Sequence, residues 1–185
     1  MPDSQFIVKN TDIPGLLEIT LTTLEDERGW FQEKFQKEKL IQAGLPADFQ
    51  PVQQNISFNK EIGVTRGIHA EPWDKYISLV SGKIFAVFVD LRKENFGKIV
   101  SIEITPEKAV FIPRGVANSF QTLVPDTYYT YLVNDHWSAE NQTGYMFVNL
   151  ADPDLKISWP IPLDKSIISQ KDKNHPFLKD IQERL

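Results

Sequence analysis

Tyr76-Ile77-Ser78-Leu79-Val80-Ser81-Gly82-Lys83-Ile84-Phe85-Ala86-Val87-Phe88-Val89-Asp90 carries two apolar runs separated by a Ser-Gly pair. Both runs are rich in β-branched and aromatic residues, which suit a pleated surface. Ser81-Gly82 is a turn signal and predicts a tight hairpin between them. The run from Ile84 to Val89 does not alternate apolar with polar residues. A strand apolar on both faces lies between two layers or inside an interface.

Outward from this stretch the same rhythm continues. Further strands are predicted over 17–24, 30–35, 52–58, 63–69, 98–104, 109–112, 119–123, 127–133 and 145–150, beside 76–80 and 83–90. Ile102 and Ile104 alternate with Ser101, Glu103 and Thr105, which predicts one wet face. Pro113-Arg114-Gly115 reads as another turn. Two helices are expected, at 37–43 before Gly44 and at 176–183 with Asn174 as N-cap and Pro176 near the first position. Many short strands, 12 prolines and 9 glycines point to a sandwich or a barrel. The expected fold is all-β, a cupin-type jelly-roll β-barrel with short peripheral helices.

A length of 185 residues fits one domain, 1–185, able to bury a core without covalent staples. There is no cysteine, so disulfides, thiolate metal sites and a cysteine nucleophile are excluded. A net charge of −5 argues against nucleic acid as partner but says little about a small anionic ligand. The N-terminus MPDSQFIVKN has no basic segment followed by an apolar run, and no apolar stretch approaches the roughly 18–20 residues of a spanning helix. A cytoplasmic protein with no membrane partner is the expectation.

Of three histidines, His69 has the most company: Arg66 precedes it, and Glu71, Asp74 and Lys75 follow. Such neighbours can tune an imidazole towards the neutral range that suits a general base. The plain alternative is a strand end with solvated charges. Strict alternation would send Arg66 and His69 to opposite faces, unless Gly67 permits a bulge. A barrel metal site built on a His-x-His pair would need imidazoles where Glu71 and Asn118 stand, so no metal is expected. Tyr129 and Tyr131 share a strand face, as core residues or as a proton donor. Asp152-Pro153-Asp154 is a turn, or holds a carboxylate that orients a histidine. Trp30 and Phe31 beside Arg28 could hold a base and a phosphate, or form an amphipathic strand. Glycine-rich phosphate loops and a Gly-x-Ser-x-Gly elbow are absent.

Several ordered segments together resemble the dTDP-4-dehydrorhamnose 3,5-epimerases. They are Asp26-Glu27-Arg28-Gly29-Trp30-Phe31-Gln32-Glu33, Gln53-Gln54-Asn55-Ile56-Ser57, Arg66-Gly67-Ile68-His69 and Lys75. Val89-Asp90-Leu91-Arg92, the segment from Phe111 to Phe120, Tyr131, and Asp152 through Ile157-Ser158-Trp159-Pro160 complete them. The resemblance covers about residues 5–160; residues 161–185 carry no matching motif and no expected role. It implies epimerisation at C3 and C5 of dTDP-4-dehydro-6-deoxy-D-glucose, through an enolate, without metal or other cofactor, in dTDP-L-rhamnose biosynthesis. It assigns His69 as base, Asp152 as its paired carboxylate, Tyr131 as the acid on the opposite face and Lys75 as the cation near the keto oxygen. Arg28 and Arg66 would contact the diphosphate, and Phe31, Glu33, Gln53 and Asn55 the nucleotide and sugar. The family likeness further implies a homodimer in which the segment from Arg28 to Glu33 enters the partner's site.

The sequence departs from the family pattern at three places. Asn118 stands for a histidine, Glu71 for a glutamine, and Trp137 where a tyrosine stacks on the base. These bear on substrate contacts more than on reaction class. The competing readings are a mono-epimerase or a 3,4-ketoisomerase on a related dTDP-4-keto sugar, and a non-catalytic sugar-nucleotide binding module.

Overall fold

The computed structural model describes residues 5–138 and 144–182. In chain order the first elements are β1 (Phe6–Asn10), β2 (Leu17–Leu21), β3 (Thr23–Asp26), β4 (Gly29–Gln32) and α1 (Lys37–Ala43). β5 (Gln53–Asn59), β6 (Val64–Ala70), β7 (Lys75–Ser81) and β8 (Ile84–Asp90) follow. Next come β9 (Ile99–Ile104), β10 (Lys108–Ile112), β11 (Val116–Thr122) and β12 (Thr127–Val133). β13 (Met146–Phe147), β14 (Ile167–Ile168), α2 (Gln170–Lys173) and α3 (Leu178–Gln182) end the described chain.

Two sheets face each other. The front sheet runs β1-β2-β10-β7-β12-β5 and the back sheet β13-β6-β11-β8-β9, with β14 parallel to β6. β3 and β4 form a separate hairpin. The fold is the expected all-β, cupin-like one. Ile77 and Leu79 of β7, Val110 and Ile112 of β10, and Ala86 and Phe88 of β8 pack between the sheets. Val87 and Val89, the alternate residues of β8, face outward but stay buried under Leu150, Leu155, Leu178 and Ile181. The absence of alternation in β8 therefore has a layered cause: a core on one side, the C-terminal segment on the other. On the front sheet's outer face, Ile19, Tyr76 and Phe111 are covered by Leu40 of α1 and by Leu45 and Phe49. β9 shows the expected wet face, with Ile102 and Ile104 buried and Ser101 and Glu103 exposed.

Ser81-Gly82 does turn the chain, but it does not close a hairpin: β7 lies in the front sheet and β8 in the back one. Pro113–Gly115 is likewise a crossing between sheets, closed by the Val116 N–H donating to the Pro113 carbonyl at 3.1 Å. α1 has the predicted bounds, with Gly44 left-handed at its C-cap. The C-terminal helix departs from expectation. Asn174 ends α2, α3 starts at Leu178, and Glu183 lies outside the described residues. β1, β14 and α2 had no counterpart in the sequence reading.

Candidate active site

β6 carries the centre of the site. Its register with β11 pairs His69 with Asn118 and Arg66 with Phe120, three steps on β6 against two on β11. One extra residue on β6 is a bulge, and it reverses the alternation beyond it. Arg66 and His69 therefore line the same cavity, of about 560 Å³. Gly67 makes this possible. Its φ is +125°, and a Cβ there would fall 2.6 Å from the Ser119 Cβ.

His69 Nε2 lies 2.9 Å from Asp172 Oδ1. This corrects the expected pairing with Asp152. Asp152 accepts from the Asp154 N–H at 2.8 Å and from the Leu178 N–H, so both its oxygens hold a turn and the start of α3. Asp-Pro-Asp is turn chemistry, and one carboxylate cannot cap a helix and serve a distant imidazole at once. Asp152 instead anchors the segment that bears Asp172, helped by Asn149, which donates to the Lys173 and His175 carbonyls at 3.1 and 2.9 Å. The sequence did carry one signal for Asp172. Ser169-Gln170-Lys171-Asp172 is a helix-start pattern, and Ser169 Oγ accepts from the Asp172 N–H at 3.0 Å.

Burial alone would raise the Asp172 carboxyl. The hydrogen bond and charge of His69, with help from the Gly67 N–H and His175, outweigh it and hold Asp172 below the usual carboxylate range. With Nε2 bound to this carboxylate, Nδ1 is the nitrogen of His69 left to exchange a proton. Phe147, opposite His69 in the β13–β6 register, packs edge-on to its ring at 5.4 Å. Trp137 does not take that stacking role. It lines an adjoining opening, and its backbone N–H donates to Gln53 Oε1 at 3.1 Å.

Lys75 is buried and stands between Glu71 Oε2 at 2.6 Å and Asn118 Oδ1 at 2.8 Å. The two departures at positions 71 and 118 thus meet on one ammonium, pairing a charge that burial would otherwise make costly. An ammonium has three donors, so a third remains beyond these two contacts. Its nitrogen also lies 5.5 Å from the centre of the Tyr131 ring. Tyr129 is core, stacked on Phe120 at 4.5 Å, while Tyr131 is half-buried and lines the cavity. Burial, then Glu71, raises the Tyr131 hydroxyl against a smaller opposing effect of Arg66, so it stays a proton donor at neutral pH. Gln53, Asn55 and Ser57 alternate inward along β5; Gln53 donates to Asn55 at 2.9 Å, and both line the adjoining opening.

Three of the expected substrate residues do not line either opening of this chain. Arg28 pairs with Asp26 and Phe31 is exposed, both on the β3–β4 hairpin. Glu33 pairs with Lys39 at 3.0 Å. The sequence reading also missed His175. It is buried behind His69, with ring centres 5.3 Å apart, and Nε2 lies 3.7 Å from Asp172 Oδ1. The expectation of no metal counted His69 as the one imidazole left in a pattern with Glu71 and Asn118; the fold brings His175 beside it from the C-terminal segment.

An Asp-supported imidazole, a protonated tyrosine and a buried lysine around one cavity can move protons on a carbon acid. Comparison with known proteins agrees. The "Protein RmlC homolog" of Streptococcus pyogenes serotype M6 is 48% identical over 176 residues, covering 92% of this chain and 88% of that protein. The dTDP-4-dehydrorhamnose 3,5-epimerase of Methanothermobacter thermautotrophicus is 33% identical over 188 residues, covering 97% of each. The solved structure of RmlC from Streptococcus suis in complex with dTDP-D-xylose superposes with a TM-score of 0.90 at 46% identity, covering 96% of this chain and 93% of that one. Residues 10–180 match the family described as dTDP-4-dehydrorhamnose 3,5-epimerase, and with the cavity built as above, this chain belongs to that family.

Proposed function

We propose that this protein epimerises C3 and C5 of dTDP-4-dehydro-6-deoxy-D-glucose, giving dTDP-4-dehydro-L-rhamnose in dTDP-L-rhamnose biosynthesis. The observation that carries the reading is the convergence of His69, Asp172, Lys75 and Tyr131 on one cavity. Both reacting carbons flank the C4 ketone. His69 takes a proton from one of them, and the C–H pair becomes the double bond of an enolate. Lys75 stabilises the negative O4, a contribution of the kind that dominates such reactions. Tyr131 returns a proton to the same carbon from the other face, restoring the ketone with inverted configuration. His69 and Tyr131 then re-equilibrate with solvent, and the cycle repeats at the second carbon. Hydrogen leaves and returns as a proton, so the sequence of steps needs no redox cofactor. Arg66 is assigned to the diphosphate, and Gln53, Asn55, Asn118 and Trp137 to the sugar and base.

Arg28, Phe31 and Glu33 join this set in a homodimer whose β3–β4 hairpin enters the second copy's cavity. Exposed Trp30 and Phe31 on that hairpin support this, as do exposed Ile56 and Phe58 on the edge strand β5 and Tyr128 on β12 beside it. One domain spanning 1–185 fits the pairing of β14 with β6. A cytoplasmic location fits the absence of cysteine, and among the described residues no helix is long and apolar enough to cross a membrane.

The test is product NMR after incubation with the 4-keto-6-deoxyglucose nucleotide in deuterated buffer. Deuterium at both C3 and C5 is expected. Label at one carbon would make the protein a mono-epimerase, and label at neither would sink the reading. Light scattering with a Phe58→Asp variant tests the dimer, which should dissociate.

A further inference from the structure

We propose that His69, Asp172 and His175 form a binding site for a borderline divalent cation such as Zn²⁺, and that occupancy silences His69. Three observations meet here. One ligand atom from each residue lies within 4.8 Å of the others. His69 Nε2 and His175 Nε2 stand 2.9 and 3.7 Å from the same oxygen, Asp172 Oδ1. Zinc held at about 2.0–2.2 Å by each ligand in a tetrahedron sets neighbouring donors roughly 3.3 Å apart, so small rotations of the two rings suffice. The third observation is His175 itself. Its side chain is 5% exposed, and among the described residues neither ring nitrogen makes a well-formed hydrogen bond, the Val148 backbone giving only a minor polar contact. A buried polar group in that state is costly, and a cation at Nε2 satisfies one of the two nitrogens.

The donor set matches the ion. Two imidazoles and one carboxylate, with a fourth position open, is the arrangement of many catalytic zinc sites. Two of the three residues, His69 and Asp172, line the cavity, so a fourth ligand can approach from there. The rings are held in place: Phe147 stacks on His175 at 4.8 Å and meets His69 edge-on. Asp172 Oδ2 is oriented by the Gly67 N–H at 3.5 Å, in the manner of outer-shell support. A bound ion takes the place of the proton between His69 Nε2 and Asp172 Oδ1; that proton passes by way of solvent to Nδ1, which then can no longer accept one. The ion withdraws electron density from the ring and separates the base from its carboxylate. Ion binding stands on geometry alone, whereas the inhibition rests on the epimerase reading.

The experiment uses the full chain after chelator treatment. Isothermal titration with Zn²⁺, and visible absorption on titration with Co²⁺, should both give one ion per chain, with a tetrahedral Co²⁺ spectrum. His175→Ala should weaken binding at least about tenfold, as loss of support to a metal commonly does. His136→Ala, which removes an exposed histidine outside the cluster, should leave binding unchanged. His69→Ala is the second variant should His175→Ala not fold, and should weaken binding likewise. Zn²⁺ should suppress proton exchange from the 4-keto sugar, and chelator should restore it. No binding, or binding indifferent to both His175 and His69, overturns the site. Binding without suppression in a protein that does exchange protons overturns only the silencing. A protein that binds the ion but never exchanges protons refutes the epimerase reading and leaves the site standing.

Discussion

At the scale of single residues, the imidazole and its carboxylate have separable jobs. Asp172→Asn keeps a polar contact to His69 Nε2 but removes the charge that stabilises the imidazolium. Turnover should fall about 10²- to 10⁴-fold with little change in KM, since general base catalysis supplies that range. The same variant has a stability signature. The native Asp172 carboxyl sits below its usual value. Its contribution is therefore present above the unfolded carboxylate pKa, about 3.9, and is lost as pH falls through the lower native value. Urea titrations of the two proteins should differ at neutral pH and converge in acid; a constant difference would contradict the linkage. Lys75→Met should cost about 10²–10³ in turnover by removing the enolate's cation. It should also destabilise the fold, because Glu71, with its side chain 16% exposed, loses its partner. Steady-state kinetics and thermal melts check the two halves separately.

At the scale of elements, a bulge and a turn decide whether those residues meet. Gly67→Ala puts a methyl into Ser119 and asks a side chain to adopt a φ of +125°. A loss of about 1–3 kcal/mol or more in urea unfolding is expected for such strain, and activity should fall with it because the bulge sets both Arg66 and His69. Asp152→Ala acts differently. It touches neither His69 nor the cavity, but it frees the Leu178 N–H at the start of α3. Loss of a cap costs about 0.5–2 kcal/mol. Amide exchange should quicken around 170–182 while β7, β8 and β11 keep their protection, and turnover should drop less than in Asp172→Asn. Equal activity losses in the two variants would return Asp152 to a direct role.

At the scale of the whole molecule, residues 161–182 join the core cover to the candidate site. With Leu178 and Ile181 they supply part of the cover over Val87, Val89 and Ala117 on the back sheet, beside Leu150 and Leu155, and they carry Asp172. A chain ending at residue 160 should lose activity and also bind hydrophobic dye or aggregate, since it would expose a contiguous apolar face. Retained solubility and activity would show the cover to be dispensable. The sequence by itself determined the β class, the wet face of β9 and α1 to the residue, because these follow from local period and capping. Through the ordered motifs it also determined the family, and it singled out His69, Lys75 and Tyr131. The tertiary structure alone decided that Ser81-Gly82 crosses between sheets, that Arg66 and His69 share a face, and that Asp172 rather than Asp152 meets His69. Each of those depends on which strands pair, and in which register, or on contacts across about a hundred residues: Asp172 lies 103 positions from His69. Local pattern records which face a residue prefers; it holds no record of what the chain brings back to that face later.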